Sequence, residues 1–140
     1  MALRVLIAED EALVAMSLQD LLDADGHEVE TAPNGVAALS AARCMGGLLD
    51  VLVTDLNMPF LSGEALIHDL RVERPDLPVV VVSGSPPPGG AAALRESSGG
   101  YGPLVVLGKP VNYEALLKAV REVACTAAQP ADEWPRLAAE

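Results

Sequence analysis

Aromatic residues are scarce in this sequence: one Phe, one Trp and two Tyr in 140 positions. A core built without them must close on Val, Leu and Ala, which favours a compact α/β protein. Basic residues are few as well, 9 Lys plus Arg against 20 Asp plus Glu, for a formal charge of −11. A field of that sign repels phosphate backbones and anionic lipid, so it speaks against direct DNA binding and against a membrane surface. Cations and basic protein patches remain suitable partners. Only two cysteines occur, Cys44 and Cys125, and they form no CxxC. They point to a reduced, cytoplasmic setting in which both are ordinary small apolar residues. Long apolar runs are missing too. Residues 3–8 are apolar apart from Arg4, but Glu9-Asp10-Glu11 cuts them short of a signal-peptide core or a membrane span.

What is present is an alternation. Val5-Leu6-Ile7-Ala8, Val51-Leu52-Val53, Val79-Val80-Val81-Val82 and Leu104-Val105-Val106-Leu107 are uniformly apolar. Runs without polar alternation read as strands covered on both faces, as in a parallel sheet. A weaker strand is expected over residues 27–32. Between the strands lie helix-period segments. Val14, Leu18, Leu21 and Leu22 share one face; Val36, Leu39 and Ala42-Arg43 mark a second helix after Pro33-Asn34-Gly35. Leu66, Ile67 and Leu70 mark a third, from about 63 to 74 and closed by Pro75. Leu116, Leu117, Val120, Val123 and Ala124 mark a last one, with Asn112 as its N-cap. A short helix over residues 91–97, flanked by Pro- and Gly-rich stretches, is expected to be loosely held.

The order is β-α five times over. Right-handed crossovers then give a doubly wound, five-stranded parallel sheet in one domain, residues 1–127. Residues 128–140 read as a flexible C-terminal tail.

In such sheets ligands bind beyond the carboxyl ends of the strands. Glu9 and Asp10 follow the first strand, Asp55 the third with Asn57 two residues on, Ser83 the fourth, and Lys109-Pro110 the fifth. Each has a plain structural explanation: Asp10 as the cap of helix one, Asp55 as a turn residue, Ser83 as loop, Lys109 as a solvated surface charge. Jointly that explanation weakens, because like charges are costly to cluster without a cation. Hard carboxylate oxygens suit Mg²⁺. No zinc set is present, since His27 and His68 lie away from these strand ends and read as surface or edge residues. With a metal beside it, Asp55 is placed to act as a nucleophile toward a phosphoryl group, with Lys109 and Ser83 contacting phosphoryl oxygens.

Taken together, "VLIAEDE" (5–11), "VLVTDLNMP" (51–59), "VVVVSG" (79–84) and "GKP" (108–110) resemble the receiver domain of bacterial two-component response regulators, of the chemotaxis-regulator kind. The resemblance covers about residues 3 to 126. It implies a flavodoxin-like (βα)5 fold and a phosphoacceptor at Asp55. It implies Mg²⁺ held by the carboxylates of Asp10 and Asp55, by the backbone carbonyl of Asn57, and by Glu9 mainly through water. Ser83 takes the switch hydroxyl and Lys109 the phosphate-sensing lysine; the Lys109-Pro110 bond matches one that is cis in many members. The implied donor is a sensor histidine kinase or a histidine phosphotransfer protein. Such a protein is not an enzyme in the ordinary sense, but it catalyses its own aspartyl phosphorylation and dephosphorylation. Residues 127–140 are too few for a DNA-binding effector, and a homodimer is left open. Three departures stand out: Val106 and Val111 occupy positions where the family often carries aromatic residues, and the 26 positions from Ser83 to Lys109 are longer than is typical, the extra length being Pro/Gly-rich.

Three other readings compete. A flavodoxin-like cofactor binder needs a Ser/Thr/Gly-rich phosphate cradle after strand one, where this chain has Glu9-Asp10-Glu11. A haloacid-dehalogenase-type phosphatase carries DxD on its first strand, which this chain lacks. A receiver-fold interaction module that is never phosphorylated has no need of the full Asp10, Asp55, Ser83 and Lys109 set.

Overall fold

The computed structural model describes residues 2–85, 87 and 89–127; the tail expected over 128–140 lies outside the described residues. The strands are β1 (Arg4–Ala8), β2 (Glu28–Ala32), β3 (Val51–Thr54), β4 (Val79–Ser83) and β5 (Leu104–Gly108). The helices are α1 (Ala12–Ala24), α2 (Gly35–Met45), α3 (Gly63–Glu73), α4 (Gly90–Ser98) and α5 (Tyr113–Ala127). All strand pairs are parallel, in the order β2-β1-β3-β4-β5.

The apolar runs explain the layers. Side chains alternate across a strand, so a run buried on both faces feeds two cores. Leu6, Leu52, Val79, Val81 and Leu104 point to one side and pack with Ala38 and Ala42 of α2, Leu66, Ile67 and Leu70 of α3, and Leu94 of α4. Val5, Ile7, Val53, Val80 and Val82 point to the other and pack with Leu18 and Leu22 of α1 and Leu116, Val120 and Val123 of α5. The exposed residues of β2, Glu28, Glu30 and Thr31, suit its place at the sheet edge.

Helix starts follow side-chain capping. Asn112 Oδ1 accepts from the Ala115 N–H, Asn34 Oδ1 from Ala37 and Ser62 Oγ from Ala65. Asp10 does not cap α1; Glu11 occupies that position and makes no side-chain cap bond. That leaves the Asp10 carboxylate free of a helix-start role.

Three expectations are corrected. The inward face of α2 is Gly35, Ala38 and Ala42, with Val36 exposed. Small side chains there let the helix sit close to the sheet, and Val36 falls on the outer side of the first turn. His27 precedes β2 and is buried: its Nδ1 accepts from the Leu3 N–H at 3.1 Å, and its Nε2 lies 3.1 Å from Asp25 Oδ2. Both cysteines are free and exposed, so neither is a core residue.

Residues 90–98 form two and a half turns with Ala91, Leu94 and Ser98 buried. Two arginines tie this region down. Arg95 donates twice to the Leu104 carbonyl. Arg71 on α3, buried, donates to the carbonyls of Gly99, Leu77, Gly102 and Pro103 at 2.9–3.1 Å. No helix among the described residues is long and apolar enough to cross a membrane.

Candidate functional site

The strand order reverses direction between β1 and β3, which leaves a crevice at their carboxyl ends. Backbone hydrogen bonds continue past the strands and fix what stands there. Asp55 N–H donates to the Ala8 carbonyl at 3.1 Å, and Glu9 N–H to Ala32 at 3.1 Å. Lys109 N–H donates to the Ser83 carbonyl at 3.0 Å, across a cis Lys109-Pro110 bond. Glu9, Asp55, Ser83 and Lys109, from four strand ends, are thereby brought to one crest.

Side chains close the arrangement. Lys109 Nζ lies 2.6 Å from Glu9 Oε1 and 2.8 Å from Asp55 Oδ2. Asp55 Oδ1 accepts from the Asn57 N–H at 3.2 Å, a local turn bond. So Asp55 does serve a turn, as its plain explanation holds, and carries a second, partly buried interaction besides. Ligand oxygens of Glu9, Asp10 and Asp55 all lie within 4.8 Å of one another. Glu9 is 3% and Asp55 8% exposed, whereas Asp10 opens to solvent. Ser83 is buried at the end of β4, and its Oγ accepts from the Ser85 N–H at 3.4 Å. Val106 is half-buried and packs on the α2–α3–α4 side.

The electrostatics are unbalanced. Three carboxylates face one ammonium, and Glu9 Oε2 is buried with no hydrogen-bond partner. Burial raises the Glu9 carboxyl above its ordinary value; Lys109 opposes that rise, and the neighbouring Asp10 and Asp55 add to it. Burial acts to lower the Lys109 ammonium, but its hydrogen bonds to Asp55 and Glu9 outweigh this and raise it. A buried, unpartnered carboxylate oxygen within a cluster of acids is the chemistry of a hard-cation site.

The loop from β3 to α3 was not legible in the sequence. Gly63 packs so tightly on it that a Cβ there would fall 1.9 Å from the Asp55 carbonyl oxygen. The Gly63 N–H donates to the Leu56 carbonyl at 2.9 Å, and Thr54 Oγ1 donates to Asp55 O at 2.8 Å. A glycine eight positions after Asp55 was a signal available for that close approach. Nothing marked Phe60, which has φ +72° and is the most exposed large apolar side chain among the described residues.

A doubly wound parallel sheet with an acid cluster and a lysine over its β1–β3 crevice defines a class of open α/β domains whose ligand site lies beyond the strand ends. Comparison with known proteins narrows it. A model of the response regulator receiver domain matches residues 5–121, and the chain belongs to that family. A response regulator receiver protein of Anaeromyxobacter sp. (strain Fw109-5) is 35% identical over 114 residues, 81% of this chain and 45% of that protein. The sensor kinase CckA of Brucella abortus (strain 2308) is 38% identical over 79 residues, 56% of this chain and 8% of that protein. The chain thus spans less than half the length of these relatives. Among solved structures, a receiver domain from Clostridium thermocellum superposes with TM-score 0.78 at 27% identity, covering 88% of this chain and 94% of that one. The Vibrio cholerae chemotaxis protein CheY4 gives 0.77 at 27% identity, covering 88% and 99%.

Proposed function

We propose that the chain accepts a phosphoryl group on Asp55 from a phosphohistidine, on a sensor histidine kinase or a histidine phosphotransfer protein, in a Mg²⁺-dependent step. The change of charge at Asp55 is then relayed as a change of conformation. The observation that carries this is the Glu9–Lys109–Asp55 arrangement, with Glu9 Oε2 left unpartnered beside Asp10.

In the transfer, the phosphorus–nitrogen bond of the donor breaks and a phosphorus–oxygen bond to one Asp55 carboxylate oxygen forms. The imidazole leaves and takes a proton from water. Hydrolysis later returns the carboxylate and releases inorganic phosphate. Asp10 and Asp55 would hold Mg²⁺ through their carboxylates, with Glu9 contributing mainly through water and Asn57 through its backbone carbonyl. Bound there, the ion supplies positive charge against incoming phosphoryl oxygens. Lys109 orients Asp55 beforehand and then pairs with the phosphoryl oxygens in place of the lost carboxylate charge. Ser83 accepts its hydrogen bond from Ser85, which leaves its O–H free to donate to the same group.

The test is labelling by phosphoramidate with and without Mg²⁺. Wild type should gain one hydroxylamine-sensitive phosphate only when Mg²⁺ is present, and Asp55→Asn should gain none while keeping its circular dichroism spectrum. Equal labelling of Asp55→Asn, or no labelling of wild type, contradicts the proposal; the second result favours an unphosphorylated interaction module.

A further inference from the structure

Phe60 is the sole phenylalanine of an aromatic-poor chain and is 85% exposed. Water does not favour that placement. Neither does the backbone, because φ +72° is a left-handed value that a bulky side chain rarely adopts. The Leu61 N–H donates to the Pro59 carbonyl at 2.8 Å, so Phe60 stands at the centre of a three-residue γ-turn of the rarer, strained hand.

The turn is also held from both sides. A Cβ on Gly35, at the start of α2, would fall 2.2 Å from the Leu61 carbonyl oxygen, and one on Gly63 would collide with Asp55 and Leu56. Asp55 and Phe60 therefore belong to one short, clamped loop, five residues apart, with Asp55 buried and Phe60 exposed. Strain held at a functional loop, on a side chain with no packing role, indicates a contact made with something outside the chain. The occupant is set by the chemistry of the neighbouring carboxylate. A protein donor has to bring its imidazole to Asp55, and in doing so it meets the loop that carries Phe60 five residues on.

We infer that Phe60 is a specificity-determining contact for the protein phosphodonor, a rigid aromatic anchor that enters an apolar depression beside the donor's phosphohistidine. This rests on the assignment of Asp55 as acceptor. A side chain mounted on a backbone turn that is held before contact costs less ordering on binding, which suits an anchor of this kind. A small phosphodonor has no surface to meet Phe60, so the two donor types separate the contact from the chemistry.

The experiment compares wild type, Phe60→Ala and Phe60→Gly, the last also removing the left-handed strain. Each receives phosphate from phosphoramidate and from the autophosphorylated histidine kinase that labels wild type fastest in a screen of the host's kinases. The expected result is an unchanged phosphoramidate rate and a loss of roughly tenfold or more in kinase transfer, carried by weaker binding. Unchanged kinase transfer overturns the inference. So does an equal slowing with both donors, which would mean that the ring only shapes the loop around Asp55. Wild type that accepts from phosphoramidate but from no kinase also overturns it. So does a dimer lost in the variants while kinase transfer stays intact, which would make the occupant a second copy of this chain. Failure of wild type to accept from any donor would instead refute the acceptor assignment, a result distinct from these.

Discussion

Lys109 and Arg71 are both drawn in from the surface of this protein, and they are held in opposite ways. Lys109 meets two carboxylates, Glu9 and Asp55, at 2.6 and 2.8 Å. Arg71 meets only backbone carbonyls, those of Gly99, Leu77, Gly102 and Pro103, and its Nε has no partner. The acids raise the Lys109 ammonium in spite of burial. Burial, with Arg95 nearby, lowers Arg71 to about 10, still fully charged at neutral pH. The difference is between a charge whose partners can change and one whose partners cannot. A phosphoryl group or a cation at the crest would redistribute the bonds of Lys109. Nothing in the chemistry of the crest alters the carbonyls around Arg71, which staple α3 to the segment between α4 and β5.

The largest stability effect is expected at the staple. Arg71→Met leaves several buried carbonyls unpaired and should cost roughly 2–4 kcal/mol in urea unfolding. Mg²⁺ should restore none of it, and phosphoramidate labelling of the folded fraction should persist. A loss of labelling in that fraction would mean that the staple and the crest are one unit.

Lys109→Met is expected to cost less, roughly 1–3 kcal/mol, because Asp55 and Glu9 then face each other without their ammonium. Here Mg²⁺ should recover most of the loss, since the ion supplies the missing positive charge. Equal Mg²⁺ responses in the two variants would erase the distinction.

These two sites were not equally legible. Glu9, Asp10, Asp55, Ser83 and Lys109 could be found from the sequence because each follows a uniformly apolar run, and the ends of parallel strands share one edge. Arg71 could not. It stands next to Leu70 on a helix whose apolar spacing was already satisfied, and its acceptors lie 6 to 32 positions away. The same holds for His27, whose burial depends on the Leu3 N–H from another element. Phe60 was invisible for a different reason. Its conformation is imposed by the glycines at 35 and 63 and the Pro59–Leu61 bond, not by any preference of its own.

The smallest effect is a pH dependence of the metal-free protein. The Glu9 carboxyl lies above its ordinary 4.5 in the folded state, so folding favours its protonated form. Its contribution to stability is complete below pH 4.5 and is lost as pH rises through the folded value. Urea midpoints across that range should fall with pH in Glu9→Gln less than in wild type, and saturating Mg²⁺ should flatten the wild-type curve. Identical slopes for the two proteins would remove Glu9 from the account.

The central claim is that Asp55 receives the phosphoryl group. Borohydride reduces an aspartyl phosphate to homoserine, so trapping after phosphoramidate treatment followed by peptide mass spectrometry identifies the acceptor by position. Homoserine at position 55, formed only with Mg²⁺ present, is the predicted result. Homoserine elsewhere, or an unmodified Asp55 in a protein that carries phosphate, would contradict it.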